Sequence, residues 1–130
     1  MTEHWDGAAW LPVSTPSSTA KLVGVWGVDA THVWAIAEDG AMVAWDGSQW
    51  TTAPALGGNT GSLPGCSPTE IWTGAGSTGG PSVGRFDSAT WHGAITGATT
   101  FSSSGRVWCA APGDTWLLTA DAVLHRSVTP

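Results

Sequence analysis

The chain has 130 residues, of which 11% are charged, and it contains 10 tryptophans and no tyrosine. Its formal net charge of −6 argues against nucleic acid or an anionic membrane as the main partner. No apolar run reaches the roughly 20 residues of a membrane-spanning helix, and the N-terminal residues do not form a signal peptide, which leaves a secreted or a cytoplasmic location open.

The clearest unit of the chain, residues 22–53, predicts four short strands. The first is an apolar run with small residues, which suits an innermost strand, and the third and fourth strands follow Asp-Gly turns. The four predicted strands are residues 23–28, 32–37, 41–45 and 49–53. The Gly- and Pro-rich residues 54–64 predict a connection, and no stretch has the 3.6-residue apolar period of a helix.

This unit returns about every 40 residues, a period that indicates a repeat architecture. The turn W-D-G-A-A-W at residues 5–10 returns as W-D-G-S-Q-W at 45–50 and as F-D-S-A-T-W at 86–91. The second-strand residue Trp34 has counterparts in Trp72 and Trp116, and the first-strand residue Trp26 has a counterpart in Trp108. We therefore expect a single repeat domain, residues 1–130. Its predicted repeats are approximately residues 10–50, 51–91 and 92–130, with residues 1–9 as a partial repeat.

Four antiparallel strands repeated in this way predict an all-β fold of β-propeller blades. The chain begins near a third-to-fourth strand turn and ends on a third strand, which gives three blades with a circular offset. Because closed propellers have about four to eight blades, we expect the chain to associate with itself. A homodimer would form a six-bladed ring in which the strand near Trp10 completes the partner's last blade. A β-trefoil, which also has three four-stranded repeats, is the alternative.

The amino-acid sequence of the repeat resembles the repeats of known families. The pattern G-V-W-G, V-W-A, D-G and W-D-G-x-x-W resembles the Trp-rich repeats of bacterial β-propellers. Its D-G-x-x-W turn looks like a reduced Asp-box of sialidase-type blades, which implies that the turn aspartates are structural caps and the last Trp packs between strands. These residues are Asp6, Asp46 and Asp87, with Trp10, Trp50 and Trp91.

The outer hairpin of the best repeat is also similar to that of fucose-binding propeller lectins. Sugar recognition uses indole faces that stack on a pyranose and short polar side chains that bind its hydroxyls. The resemblance therefore implies a lectin-like module that binds glycans. The candidate ligand-binding residues are Trp5, Trp45, Asp46, Gln49, Trp50 and Trp91.

No catalytic motif is present in the sequence: neither a nucleophile elbow, an H-E-x-x-H helix, a Walker loop nor a dinucleotide fingerprint. The histidines occupy several different repeat positions, of which His4 and His125 share one, and they do not predict a metal site; no cofactor is expected. We therefore expect a non-enzymatic binding module. The alternatives to sugar binding are a protein–protein interaction scaffold, or a propeller fragment or engineered assembly with no ligand of its own.

Two further features carry expectations. Cys66 and Cys109 fall on the same predicted strand of consecutive repeats, offset by one position. Two cysteines are too few for a disulfide framework, so two free buried thiols are expected, with a bridge as the alternative. The Gly-rich insertion at residues 74–84 is where we expect any specialised surface of a single blade.

Overall fold

The computed structural model describes residues 1–16, 20–76, 83–94, 106–118 and 122–127. These residues form fourteen strands and no helix. The strands are β1 (Thr2–Trp5), β2 (Trp10–Val13), β3 (Leu22–Asp29), β4 (His32–Ala37), β5 (Met42–Trp45), β6 (Trp50–Ala53), β7 (Asn59–Thr60), β8 (Gly65–Ser67), β9 (Glu70–Gly76), β10 (Val83–Phe86), β11 (Trp91–Ala94), β12 (Arg106–Ala111), β13 (Asp114–Leu118) and β14 (Val123–Ser127).

The strands form four separate antiparallel sheets, which we number in chain order. Sheet I is the hairpin β1–β2, and sheet II has the order β3-β4-β5-β6. Sheet III has the order β11-β10-β9, with β7 and β8 both paired to β9, and sheet IV has the order β12-β13-β14. Sheets II to IV are therefore up-and-down meanders, as expected for propeller blades.

The predicted unit is confirmed in sheet II, where four consecutive strands pair in sequence order. Two details differ from the prediction. Sheet I contains the strand β1, which was not predicted and corresponds to the third strand of a repeat. It forms because the tight turn after Trp5 brings residues 2–5 back against residues 10–13. The predicted connection at residues 54–64 contains the two-residue strand β7, because the long strand β9 offers an edge to pair with.

The outer turns are closed by an aspartate in each repeat. Asp6, Asp46 and Asp87 each accept two backbone N–H bonds through Oδ1, from the residues two and three positions later, at 2.8–3.0 Å. This is an Asx turn, in which the side chain replaces a backbone acceptor. The following residue has positive φ, 100° at Gly47 but 76° at Ser88, so the repeat that lacks glycine adopts an uncommon conformation.

Each sheet has two faces. We call the side that faces the next sheet along the chain the forward face, and the side that faces the previous sheet the backward face. In sheet I the backward face is the side opposite sheet II, and in sheet IV the forward face is the side opposite sheet III. The main core lies where the forward face of sheet II meets the backward face of sheet III. Its buried members are Trp34, Ile36, Met42, Ala53, Leu63, Ile71 and Phe86. A second core lies between sheets III and IV, and its buried members are Trp72, Val83 and Leu117.

The cysteine prediction was wrong. Cys66 on β8 and Cys109 on β12 form a disulfide, with Cα atoms 5.5 Å apart. The one-residue offset in the alignment does not separate them, because sheets III and IV pack face to face and bring the two first strands together. Of the insertion at residues 74–84, residues 77–82 lie outside the described part of the chain.

A search of the described residues for a helix long and apolar enough to cross a membrane found none.

Candidate docking faces

The contact between sheets II and III shows how two neighbouring sheets fit together. The forward face of sheet II carries Trp26 and Trp34, stacked with ring centroids 5.9 Å apart. The backward face of sheet III places Phe86 and Trp91 against this cluster, 5.1 Å apart and tilted at 40°. The Trp91 indole N–H donates to the Pro54 carbonyl at 2.7 Å. In this contact, a pair of tryptophans on a forward face packs against a pair of aromatic rings on a backward face.

Two glycines allow the close fit between sheets II and III. A Cβ atom on Gly65 would collide with the indole of Trp26, and one on Gly24 would lie 2.8 Å from the backbone nitrogen of Leu63. Glycine at these two positions lets the sheets approach each other across the interface.

The contact between sheets III and IV adds polar groups. Glu70, which is buried, accepts hydrogen bonds from the Thr115 hydroxyl at 2.8 Å and the Gly113 backbone N–H at 2.6 Å. Its Oε1 also forms an ion pair with Arg126 at 3.0 Å. The Arg126 guanidinium lies 5.9 Å from the centroid of the Trp72 ring. Here a charged network and the disulfide join the two sheets.

The contact between sheets I and II is the most open of the three. The His4 ring stacks on Trp45 with centroids 5.4 Å apart. Next to this pair lies a cavity of about 180 Å³, lined by Glu3, His4, Ala30, Val33, Trp45 and Trp50. A second groove of about 450 Å³ runs between β1 and the start of β3.

The forward face of sheet IV is exposed and largely apolar. It carries the counterparts of the covered Trp row of sheet II: Trp108 is 63% exposed and Trp116 is 39% exposed. The cross-strand partners Leu118 and Val123 extend the apolar surface and are also exposed. His125 stacks on Trp116 with centroids 4.0 Å apart, which holds the ring in place. No other sheet of the described residues covers this face.

The backward face of sheet I is the second exposed aromatic surface. Trp5 is 47% exposed and Trp10 is 63% exposed. Their ring centroids lie 5.7 Å apart with a tilt of 52°, close to the 5.5 Å and 53° of Trp45 and Trp50 in sheet II. We call this surface and the forward face of sheet IV the two terminal faces.

The structure brings only some of the predicted sugar-binding residues together. Trp45 and Trp50 line one cavity, but Trp45 is 8% exposed, and its indole N–H donates to the Ala30 carbonyl. Trp5 lies on the opposite face of sheet I, and Trp91 lies in the contact between sheets II and III. Asp46 and Gln49 belong to the outer turn, where Gln49 donates its backbone N–H to Asp46.

The turn aspartates hold their negative charge firmly. The pKa of Asp46 falls from 3.8 to about 2, because the backbone N–H of Gln49 and the hydroxyl and N–H of Ser48 bind the ionised form. Backbone donors lower the pKa of Asp6, and the Thr90 backbone and the His92 ring hold that of Asp87 well below its usual range. These shifts reflect hydrogen bonds within the turns.

Sequence reasoning did not identify the exposed face built on Trp108 and Trp116. Both residues were recognised as repeat positions, and repeat positions predict packing. The available signal was the alternation along β12 to β14, which separates the row Trp108, Trp116 and His125 from the opposite row, in which Leu117 is buried and Val107 and Leu124 are partly buried. Among the described residues, no group of three or more His, Cys, Asp or Glu side chains could hold a metal ion.

No protein-family model matches the chain, and no curated protein matches it. Among solved structures, the chain is similar to the β-propeller protein YCF48, in the structure described as YCF48 bound to D1 peptide. The match has a TM-score of 0.64 and 18% sequence identity, and it covers 98% of this chain. The chain spans 44% of that neighbour's length. This similarity confirms the β-propeller fold and sets the β-trefoil alternative aside.

Proposed function

We propose that this chain is a non-enzymatic, protein-binding module of β-propeller blades, and that it binds through the forward face of sheet IV. The observation that carries the proposal is the contrast between two equivalent surfaces. In the Trp26–Trp34 row of sheet II, Trp34 is buried and Trp26 is partly buried, while both residues of the equivalent Trp108–Trp116 row of sheet IV are exposed. Exposed, contiguous apolar surface of this kind marks interaction sites.

The chemistry of the face suits a protein partner. Tryptophan is enriched among the residues that dominate protein-binding energy, because it buries a large area and loses few rotatable bonds. Trp116 is held by its stacking on His125, and the His125 Nε2 is within 2.7 Å of the Asp114 carboxylate. The face is therefore ordered before binding, which reduces the entropy lost on association.

The structural neighbour supports the class of partner. YCF48 is a propeller protein with a peptide bound to it, so blades of this shape can present a surface to a polypeptide. The sugar-binding alternative has less support, because Trp45 is buried, with His4 and Trp50 both packed near its ring. Little of that indole is left to stack on a pyranose.

The test is selection of phage-displayed random peptides on the immobilised chain, followed by calorimetric titration of the enriched peptides. We expect enriched peptides with apolar or aromatic residues whose affinity falls at least tenfold in Trp116→Ser and in Trp108→Ser. The matched control is Val28→Ser, an exposed apolar residue at the end of β3, which should leave the affinity unchanged.

Peptides that bind the Trp variants and the wild type equally would contradict the proposal, as would a selection that enriches nothing. A glycan array run in parallel addresses the alternative. Sugar binding that is lost in Trp50→Ala, with no peptide enriched, would favour the lectin hypothesis instead. Silence in both experiments would favour a fragment with no ligand of its own.

A further inference from the structure

We propose that the forward face of sheet IV binds the backward face of sheet I from a second copy of the chain, so that copies associate head to tail. This inference rests on the proposed function, since it names a partner for the same surface. It differs from the strand-completion dimer expected from the sequence, because each sheet keeps its own strands and the contact is face to face.

The two terminal faces are the two halves of a contact that already exists inside the chain. Between sheets II and III, a forward Trp row receives a backward aromatic pair, Phe86 with Trp91. Sheet IV presents the forward half, built on Trp108 and Trp116, and sheet I presents the backward half, Trp5 with Trp10. The forward face of sheet IV in one copy can therefore pack against the backward face of sheet I in a second copy, as sheet II packs against sheet III within the chain.

The backward half is already arranged for this contact. Trp5 and Trp10 are tilted at 52° and 5.7 Å apart, although they are exposed. The covered pair of Phe86 and Trp91 is tilted at 40° and 5.1 Å apart. Since the hairpin turn at Asp6 sets this geometry without a neighbouring sheet, docking requires little rearrangement of the rings.

The carboxylate of sheet IV nearest this contact already has a partner, whereas Glu3, on the same face of β1 as Trp5, brings one further carboxylate to it. In the contact between sheets III and IV, the forward carboxylate of Glu70 is matched by Arg126, which occupies the repeat position of Trp5. On the forward face of sheet IV, Asp114 occupies the position of Glu70 and already pairs with His125 at 2.7 Å. An incoming Trp5 would therefore cover a carboxylate that already has a hydrogen-bond partner.

Head-to-tail contacts between different surfaces form a closed ring or an open chain of copies. Each copy contributes the three meanders of sheets II to IV and the two-stranded hairpin of sheet I, so a ring of two copies would contain six meanders and two hairpins, within the range of about four to eight blades of closed propellers. Such a ring uses the contact twice, once for each copy.

The experiment is sedimentation velocity on the whole chain over about 1 to 200 μM. We expect the wild type and the control Val28→Ser to associate, while Trp10→Ser and Trp108→Ser each remain monomeric. Both substituted side chains are 63% exposed, so the variants should keep the fold, which circular dichroism checks. An equimolar mixture of Trp10→Ser and Trp108→Ser should recover a species of two copies, because each supplies the face that the other has lost.

A wild type that stays monomeric at the highest concentration would overturn the inference, and so would a mixture that stays monomeric while the wild type associates. The second result would point to association through a different surface. Either result is distinguishable from failure of the proposed function, because the calorimetric titration reports peptide binding by the monomer. A monomer that binds selected peptides through Trp116 would keep the proposed function and remove the self-association.

Discussion

The two inner contacts of the molecule use the same architecture but different chemistry. Sheets II and III meet through an apolar cluster around Trp34 and Phe86. Sheets III and IV meet around Trp72, with a buried carboxylate, an arginine and a disulfide added. The difference arises at equivalent repeat positions, since Arg126 occupies the place that Phe86 and Trp45 occupy in their own sheets.

The comparison indicates that the repeat frame fixes where side chains meet, while the residues at those positions fix how strongly and how selectively the sheets are joined. An apolar contact is tolerant of partner, because hydrophobic burial is not directional. A buried charged network is selective, because Glu70 would be left unsatisfied if Arg126, Thr115 and the Gly113 N–H were removed. The contact between sheets III and IV is therefore selective for its partner. The terminal faces are built mainly on aromatic and aliphatic side chains and are less selective.

The largest effect is expected from breaking the apolar contact. Phe86→Ala removes a fully buried ring from the core between sheets II and III and should lower the free energy of unfolding by about 3–5 kcal/mol. Urea unfolding followed by tryptophan fluorescence measures this. Val28→Ala, at an exposed position, is the control and should change stability by less than about 0.5 kcal/mol. A loss for Phe86→Ala as small as the control would mean that the two sheets do not share a packed core.

Removing the disulfide should act on one contact only. The double variant Cys66→Ser with Cys109→Ser opens a link that spans 43 residues of sequence and should cost about 2–4 kcal/mol. Hydrogen exchange should accelerate in β12 to β14 and remain slow in β3 to β6, because the bridge joins sheets III and IV. Wild type treated with a reductant should behave like the variant. Equal acceleration of exchange in sheets II and IV would show that the disulfide does not act on the contact between sheets III and IV alone.

Breaking the polar network should have a smaller effect. Glu70→Ala leaves the Thr115 hydroxyl, the Gly113 N–H and Arg126 without their acceptor and should cost about 1–3 kcal/mol in unfolding free energy. Chemical denaturation at neutral pH measures it, and the exposed Glu38→Ala is the matched control. If the two variants were equally stable, the network would not contribute to the contact.

The smallest effect is expected from acid, and it should be shared by all the outer turns. The folded-state pKa of Asp46 is about 2, below the ordinary 3.8, so its stabilising effect is complete above about pH 4 and is lost as pH falls towards 2. Side-chain NMR titration should give Asp46 a midpoint near 2 and Asp87 a lower one. A midpoint near 4 for Asp46 would show that the turn does not bind the ionised carboxylate.

Much of the fold could be predicted from the sequence because the determinants are local. The Asp-Gly turns and the alternation in residues 41–53 specify hairpins directly, and sheet II agrees with the predicted strands. The short strand β7 could not be predicted, because its cross-strand partners Gly76 and Ala75 lie at the end of a later strand, β9. The disulfide was missed for a related reason: the distance between Cys66 and Cys109 depends on how two sheets stack.

The docking faces were only partly visible in the sequence. The repeat alignment identified Trp10, Trp108 and Trp116 as packing positions, but whether a packing position is covered depends on which sheet lies beside it. Trp34 and Trp116 occupy the same strand position, yet Trp34 is buried and Trp116 is exposed. The six-bladed ring and the homodimer expected from the sequence stay predictions.

The central claim is that the two terminal faces are complementary halves of one contact, and oxidative footprinting of the tryptophans tests it most directly. In dilute solution, Trp10 and Trp108 should react fastest and the buried Trp72 slowest. As the protein concentration rises, Trp10 and Trp108 should become protected together, with the same midpoint. Reactivity of either residue that stays constant over the whole concentration range, or protection of one without the other, would contradict the claim.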